Sequence, residues 1–493
     1  MTIEKIHGCP GTGKTTTLLH RFKGLLDDGY KAPEVTITSF RTTIVSELVS
    51  SFSGANVRSL HSLCNSLLGG GLSYMQPADY KDLGEKYGFE VRWDGKVDNY
   101  NDQNAGDPVS CYSWLRNTFT PPKEVYLYPG YDAISHIDMD DFITDYEEYK
   151  KQNGTLDYTD ILTTVLENQI PLNTPVLMVD EYQDLTPLQD AIVQQWIKGT
   201  DKTIIAGDPA QSIYGVFGGR PELFQDFKAD TNTVLDVSFR LYTPIWDLAR
   251  DVLEIENQST PTIQTRTPEH NTIHEIEHGD KPLTPQGTVL HLVRCNHQAL
   301  DVALNLAESG QLFSGLGGWS KDEIRLFNTI LKLRNGDPVD RFDLMVLLKF
   351  YPKHVTATLK DLKKYKITDK PPIKSGLIGI IRAPNPLEHA EGKINHLRVL
   401  KFRHALKQYK TKITPQDVNR IKVLTIHGAK GLEADTVFLH TYISKKIKQS
   451  IRIPGEDSEA EARVWYVGVT RARNELYLVK DRGYNYELPG VGM

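Results

Sequence analysis

Cysteine is scarce and scattered. Cys9, Cys64, Cys111 and Cys295 are the 4 in 493 residues, and no two of them form a CxxC pair. That excludes a disulfide framework, argues against a zinc or iron–sulfur site, and fits a reducing compartment. Long apolar runs are missing too: nothing approaches the ~20 residues that span a bilayer. The opening MTIEKIHG has no charged-then-apolar leader pattern, so the expectation is a cytoplasmic protein with no membrane partner. Nor is there a large excess of one charge. The 57 Lys+Arg against 63 Asp+Glu give a net −6, unfavourable for coating nucleic acid but compatible with gripping a strand in a local groove. The distribution is uneven. Acids crowd 139–160, whereas KINHLRVLKFRHALKQYKTK (393–412) has none. Such a stretch is either a solvated helix face or a phosphate-facing one.

What is present is a series of short, continuous apolar strands. IEKI (3–6), VTITSF (35–40), PVLMVDE (175–181) and KTIIAGD (202–208) alternate with helical patterns, which predicts a parallel sheet covered on both faces. TNTVLDVSF, TVLHLVRC, IKVLTIHG, DTVFLHTYI and NELYLVK read as a second set, hence a second α/β domain. Two stretches break the alternation, at about 65–155 and 320–420. Both read as insertions.

GCPGTGKT (8–15) fits G-x-x-x-x-G-K-[ST] and lies between a strand and a helix. A glycine-rich turn alone would mean little, but this context makes it a phosphate loop. Its backbone N–H groups can curl around phosphate oxygens, Lys14 can reach the β/γ-phosphates, and Thr15 can offer a hydroxyl to Mg²⁺. VDEYQD (179–184) supplies the complement: Asp180 for Mg²⁺ and Glu181 to orient and deprotonate a water for in-line attack. Arg240 (SFR) and Arg471 (VTRAR) are available cations for the departing phosphoryl group.

In chain order, GCPGTGKT, TSFRTTIVSEL, RSLHSL, LDYTDIL, VDEYQDLTPLQ, GDPAQSIYG, SFR, VRCN, TIHGAKGLEADTVF and WYVGVTRARNELYL resemble the superfamily 1A helicases of the UvrD/Rep/PcrA type. The resemblance runs from residue 3 to 480, the two insertions excepted. It implies an α/β fold of two RecA-like parallel-sheet motor domains, each interrupted by a mainly helical insertion. The expected boundaries are 1–64 and 156–236 for the first motor domain and 65–155 for its insertion. The second motor domain takes 237–320 and 421–493, and its shortened insertion 321–420.

The resemblance also implies roles. ATP and Mg²⁺ are the expected cofactors. Gly8, Gly11, Thr12, Gly13, Lys14, Thr15, Thr16, Phe239, Gly431 and Glu433 would bind ATP, with Phe239 stacking on adenine, and Thr15 and Asp180 would hold the metal. Glu181, Gln211, Arg240 and Arg471 would be catalytic, Gln211 sensing the γ-phosphate. Phe40, Ser59, His61, Tyr214, Phe217, Thr425 and His427 would contact single-stranded DNA. The implied partners are single-stranded DNA and single/double-strand junctions, and the implied state is a monomer serving DNA repair or replication. The implied activity is a 3′→5′ ATP-dependent DNA helicase or, alternatively, a single-strand translocase that strips proteins without separating strands. The sequence departs from the family pattern in three places. No glutamine motif stands upstream of the phosphate loop, Thr16 replaces an arginine, and Val216 and Phe217 replace a tryptophan and an arginine.

Overall fold

The computed structural model describes residues 1–39, 48–89, 107–277, 285–391 and 394–489. Two compact units form. One comprises Met1–Leu241, Leu253–Arg266 and Glu456–Tyr466, the other Tyr242–Val252, Thr267–Gly455 and Val467–Met493.

The first unit is built on six parallel strands, β1 (Thr2–Gly8), β2 (Val35–Ser39), β3 (Asn56–Ser59), β4 (Val176–Asp180), β5 (Lys202–Gly207) and β6 (Thr231–Leu235), in the order β3-β2-β4-β5-β1-β6. Successive side chains of a strand point to opposite faces, and here both faces are packed. Val176 and Met178 of β4 join Ile6, Leu18, Phe22 and Ile37 in one core, while Leu177 and Val179 join Leu162, Leu188, Ile192 and Trp196 in another. Burial on both sides is why the strand reads as unbroken apolar sequence instead of alternating. The inserted stretch makes the helices Asp79–Tyr87, Pro108–Thr118 and Met139–Asn153, which close over their own core of Trp114, Phe142 and Tyr146.

The second unit repeats the plan. β9 (Ile273–Glu277), β10 (Val289–Val293), β11 (Ser314–Gly315), β12 (Ile421–Thr425), β13 (Ala434–His440) and β14 (Ala472–Lys480) form a parallel sheet in the order β11-β12-β10-β13-β14-β9. The 320–420 stretch folds as helices around a separate core that includes Phe327, Leu347 and Phe402. Its acid-free segment is divided between packing and solvent. Lys401 is buried against Glu323 at 3.1 Å, and Arg403 pairs with Glu388 at 2.8 Å.

One expectation is corrected. TNTVLDVSF was read among the strands of the second sheet, but Thr231–Leu235 pairs with β1 in the first. The remainder starts β7 (Val237–Tyr242), which pairs with β8 (Gln264–Arg266) in a two-stranded ribbon. The misreading has a physical cause: β6 is an edge strand whose Val234 is 51% exposed, and apolar composition alone does not distinguish edge from interior.

A buried ion network ties the first insertion to the segment returning to the sheet. Arg116 and Lys150 converge on Asp157 and Asp160, with Arg116–Asp160 at 2.7 Å, Lys150–Asp160 at 2.8 Å and Lys150–Asp157 at 3.2 Å. Tyr146 Oη donates to Asp157 at 3.1 Å. Burial alone would raise the Asp157 carboxyl, but the Arg116 and Lys150 charges hold it below the usual carboxylate range. Asp157→Ala should therefore cost about 3–5 kcal/mol, because it leaves two buried cations undercompensated. A depressed folded-state value means this stabilisation is present above about pH 4 and is lost as the pH falls further. Thermal melting of both proteins at pH 7 and pH 3 checks it: the gap should be wide at pH 7 and narrow at pH 3.

Candidate nucleotide and single-strand site

In parallel sheets ligands are held beyond the carboxyl ends of the strands, and the first unit gathers its polar side chains there. β1 ends at Gly8, and the helix Lys14–Asp27 starts immediately after Gly13, which takes φ +83°. A Cβ on Gly8 would stand 2.6 Å from Thr12 Oγ1 and 2.7 Å from Lys14 Cγ, so the loop closes only over glycine. Thr12 is buried and donates to the Cys9 carbonyl at 2.8 Å, and the Lys14 ammonium donates to the Gly8 carbonyl at 2.8 Å. Thr15 and Thr16 are exposed in the first helical turn. Cys9 is no nucleophile: burial pushes its thiol up to about 12.

β4 delivers the acids. Asp180 is buried at the strand end, and Thr15 Oγ1 donates to its Oδ2 at 3.3 Å. Burial first, and the adjacent Glu181 charge second, push Asp180 up to about 7. A buried carboxylate beside a hydroxyl fits a divalent cation completed by phosphate and water oxygens, and Thr15 and Asp180 would hold Mg²⁺ there. Glu181 takes φ +55°, a region L-residues seldom occupy. That turn ends the strand and aims the second acid differently from the first.

SFR is stitched onto the phosphate loop. Ser238 Oγ donates to the Pro10 carbonyl at 2.9 Å, and the Phe239 N–H donates to the Gly11 carbonyl at 2.9 Å. Gly11 has φ +74°, and a Cβ there would lie 2.4 Å from Arg240 Cβ. Phe239 is thereby anchored to the loop through its backbone, and the residue is 74% exposed.

The link between β4 and β5 runs through residues that sequence reasoning did not single out. Gln183 is fully buried; its Nε2 donates to the Glu181 carboxylate and its Oε1 accepts from the Asp208 N–H at 3.0 Å. Gln211 Nε2 in turn donates to Asp208 Oδ2 at 2.7 Å. His7 Nε2 lies 3.7 Å from Asp208 Oδ1. Burial would raise Asp208, but the adjacent His7 and the Lys14 charge hold it below the usual carboxylate range. Glu181, Gln183, Asp208 and Gln211 are thus one hydrogen-bonded chain. Arg463 reinforces it: its buried Nε donates to the Ser212 carbonyl at 3.0 Å and its Nη1 to Gln258 at 2.9 Å. The only sequence sign was His7, a polar residue at the end of an otherwise strand-forming stretch. Arg463 gave none.

The expected strand-contacting residues divide. Phe40 lies outside the described residues. Ser59 caps the helix Leu60–Leu67, accepting from the Ser62 N–H at 3.3 Å, and desolvation holds His61 down to about 4, which keeps it neutral. Tyr214 is buried, 8% exposed, with its ring centroid 6.2 Å from that of half-exposed Phe217.

In the second unit, β13 and β14 bring the two C-terminal motifs side by side, with Ala434 opposite Ala472. Gly431 takes φ +85°, and Glu433 forms an ion pair with Arg473. Arg471 is 1% exposed, donating to the Val467 carbonyl at 2.9 Å and the Leu432 carbonyl at 3.3 Å. Thr425 ends β12 and its Oγ1 accepts from the Gly428 N–H at 3.0 Å, next to half-buried His427.

Comparison with known proteins places this geometry. Residues 3–232 match the UvrD/REP helicase N-terminal domain and residues 356–483 the UvrD-like helicase C-terminal domain. Similar proteins include the ATP-dependent DNA helicase UvrD2 of Mycobacterium bovis, 24% identical over 95% of this chain and 75% of that protein. The ATP-dependent DNA helicase PcrA of Bacillus subtilis is 22% identical over 95% of this chain and 79% of its own length. No described helix is long and apolar enough to cross a membrane.

If Gln183 holds Glu181 and the Asp208–Gln211 pair in register, its loss should affect turnover more than binding. Gln183→Leu is expected to lower kcat for nucleoside triphosphate hydrolysis about tenfold, with KM within about threefold of the parent. Steady-state kinetics would show this; a rise in KM at unchanged kcat would assign Gln183 to nucleotide binding instead.

Proposed function

Because the chain belongs to the UvrD-like helicase family, we propose that it is a DNA-stimulated ATPase that moves 3′→5′ along single-stranded DNA and unwinds duplex. The observation that carries this reading is the hydrogen-bonded chain from Glu181 to Gln211 beside the phosphate loop. Such a chain joins the residue that activates water to one that can register the γ-phosphate. Lys14 and the loop amides bind the phosphates, and Phe239 receives the base. Thr15 and Asp180 would hold Mg²⁺, which when bound would neutralise phosphate charge.

Glu181 orients the attacking water and takes its proton. Gln211 hydrogen-bonds a γ-phosphate oxygen, and Arg240 and Arg471 stabilise the charge that grows on the departing phosphoryl group. Gly431 and Glu433 complete the nucleotide contacts. Phe40, Ser59, His61, Tyr214, Phe217, Thr425 and His427 are the assigned strand contacts. Neutral His61 and capping Ser59 suit hydrogen bonding more than charge neutralisation. Nucleotide-dependent rearrangement of Gln211, passed along the segment to Phe217, converts hydrolysis into stepping. The departures at Val216 and Phe217 favour keeping a second reading: the same motor translocating without strand separation.

ATP hydrolysis should rise at least tenfold with single-stranded DNA and vanish in Lys14→Ala and Glu181→Gln. Hydrolysis indifferent to DNA contradicts the motor reading. Duplexes with a 3′ or a 5′ single-stranded tail separate the two readings: unwinding of the 3′-tailed duplex alone supports the helicase, and unwinding of neither supports the translocase.

A further inference from the structure

The first unit has an exposed aromatic that no sequence motif marks. Phe119 ends the helix Pro108–Thr118 with φ +54° and ψ +30°. A helix that ends in this left-handed conformation ordinarily uses glycine there, because a Cβ is strained. Here the position holds an aromatic, and 55% of it is exposed.

Its neighbours give it a location. Thr118 is hydrogen-bonded back to the Trp114 carbonyl at 2.8 Å, which fixes the end of the helix. Thr118 Cγ2 presses on Gly218, where an added Cβ would stand only 2.8 Å away, and Trp114 Cδ1 lies 3.8 Å from the same point. Asn117 meets Thr186 at 3.1 Å. The helix end is therefore seated on the segment that follows the sensing glutamine. Phe119 and Phe217 flank one tight contact, each the immediate neighbour of a contacting residue. Tyr214 is buried, whereas Val216 is 39% exposed. Exposed Lys123 follows four residues after Phe119. An exposed ring and a half-exposed ring on either side of one contact, with a cation four residues on in the chain, are components a single-strand stacking platform uses.

We propose that Phe119 stacks on a base of single-stranded DNA and extends the strand-binding surface of Gly215–Phe217 onto the insertion. This rests on the functional reading above. More than half of the Phe119 residue surface is open to solvent, which leaves it accessible to a base.

The test uses the whole protein and fluorescence anisotropy with two labelled oligonucleotides, oligo-dT and an abasic strand of the same length. Phe119→Gly suits the backbone, so its melting temperature should equal or exceed the parent's. It should bind oligo-dT about tenfold more weakly, on the order of one lost stacking contact. It should bind the abasic strand as the parent does. Phe119→Trp should retain dT affinity and Phe119→Leu should lose it, a pair that decides the matter if Phe119→Gly melts early. Unchanged dT affinity, or equal losses on both strands, overturns the proposal. If the parent itself binds neither strand, the functional reading has failed and not merely this extension of it.

Discussion

Much in the first unit depends on the buried amide of Gln183. It is one of few side chains that can donate to a carboxylate with one end and accept a backbone N–H with the other. At full burial both ends must be satisfied, since an unmatched polar atom there costs about 1–3 kcal/mol. The structure satisfies them with Glu181 on one side and the Asp208 N–H on the other. Two neighbouring strand ends are thereby locked in one register. Gly207 is required for the same reason: a Cβ there would stand 2.7 Å from Gln183 Oε1 and 3.0 Å from the Phe224 ring.

The electrostatics follow from that lock. Asp180 and Asp208 are both buried at adjacent strand ends, yet they are displaced in opposite directions. Asp208 has His7, Gln211 and the Lys14 charge as compensation. Asp180 has Glu181 beside it, and the repulsion adds to desolvation. Asp208 is thus the better compensated of the two, while Asp180 accepts from Thr15 Oγ1 and the Glu181 N–H. On the proposed reading Asp208 is scaffold and Asp180 the metal ligand, although both are acids at strand ends in the sequence.

Legibility in the sequence followed burial. The strands β4, β5, β10 and β13 were readable because both their faces are covered, which makes apolar runs continuous. β6 was misassigned because an exposed edge strand shares their composition without their environment. The phosphate loop and the acid pair were readable because their chemistry is local in sequence. Gln183, Asp208 and Arg463 were not, because their meaning lies in partners 25 to 251 residues away. Motif position says nothing of exposure: Tyr214 and Phe217 share one motif, yet the first ring is buried and the second half-exposed. Phe119 is a further case, an exposed aromatic in a backbone conformation that its residue type does not favour.

The central claim is that Glu181, Gln183, Asp208 and Gln211 act as one unit in hydrolysis. A double-mutant cycle on kcat, using Gln183→Leu, Gln211→Ala and the pair, tests it directly. Residues acting as a unit are not additive, so the double variant should be about as slow as the slower single variant. If the two losses multiply instead, the chain of hydrogen bonds does not join the water-activating acid to the sensor.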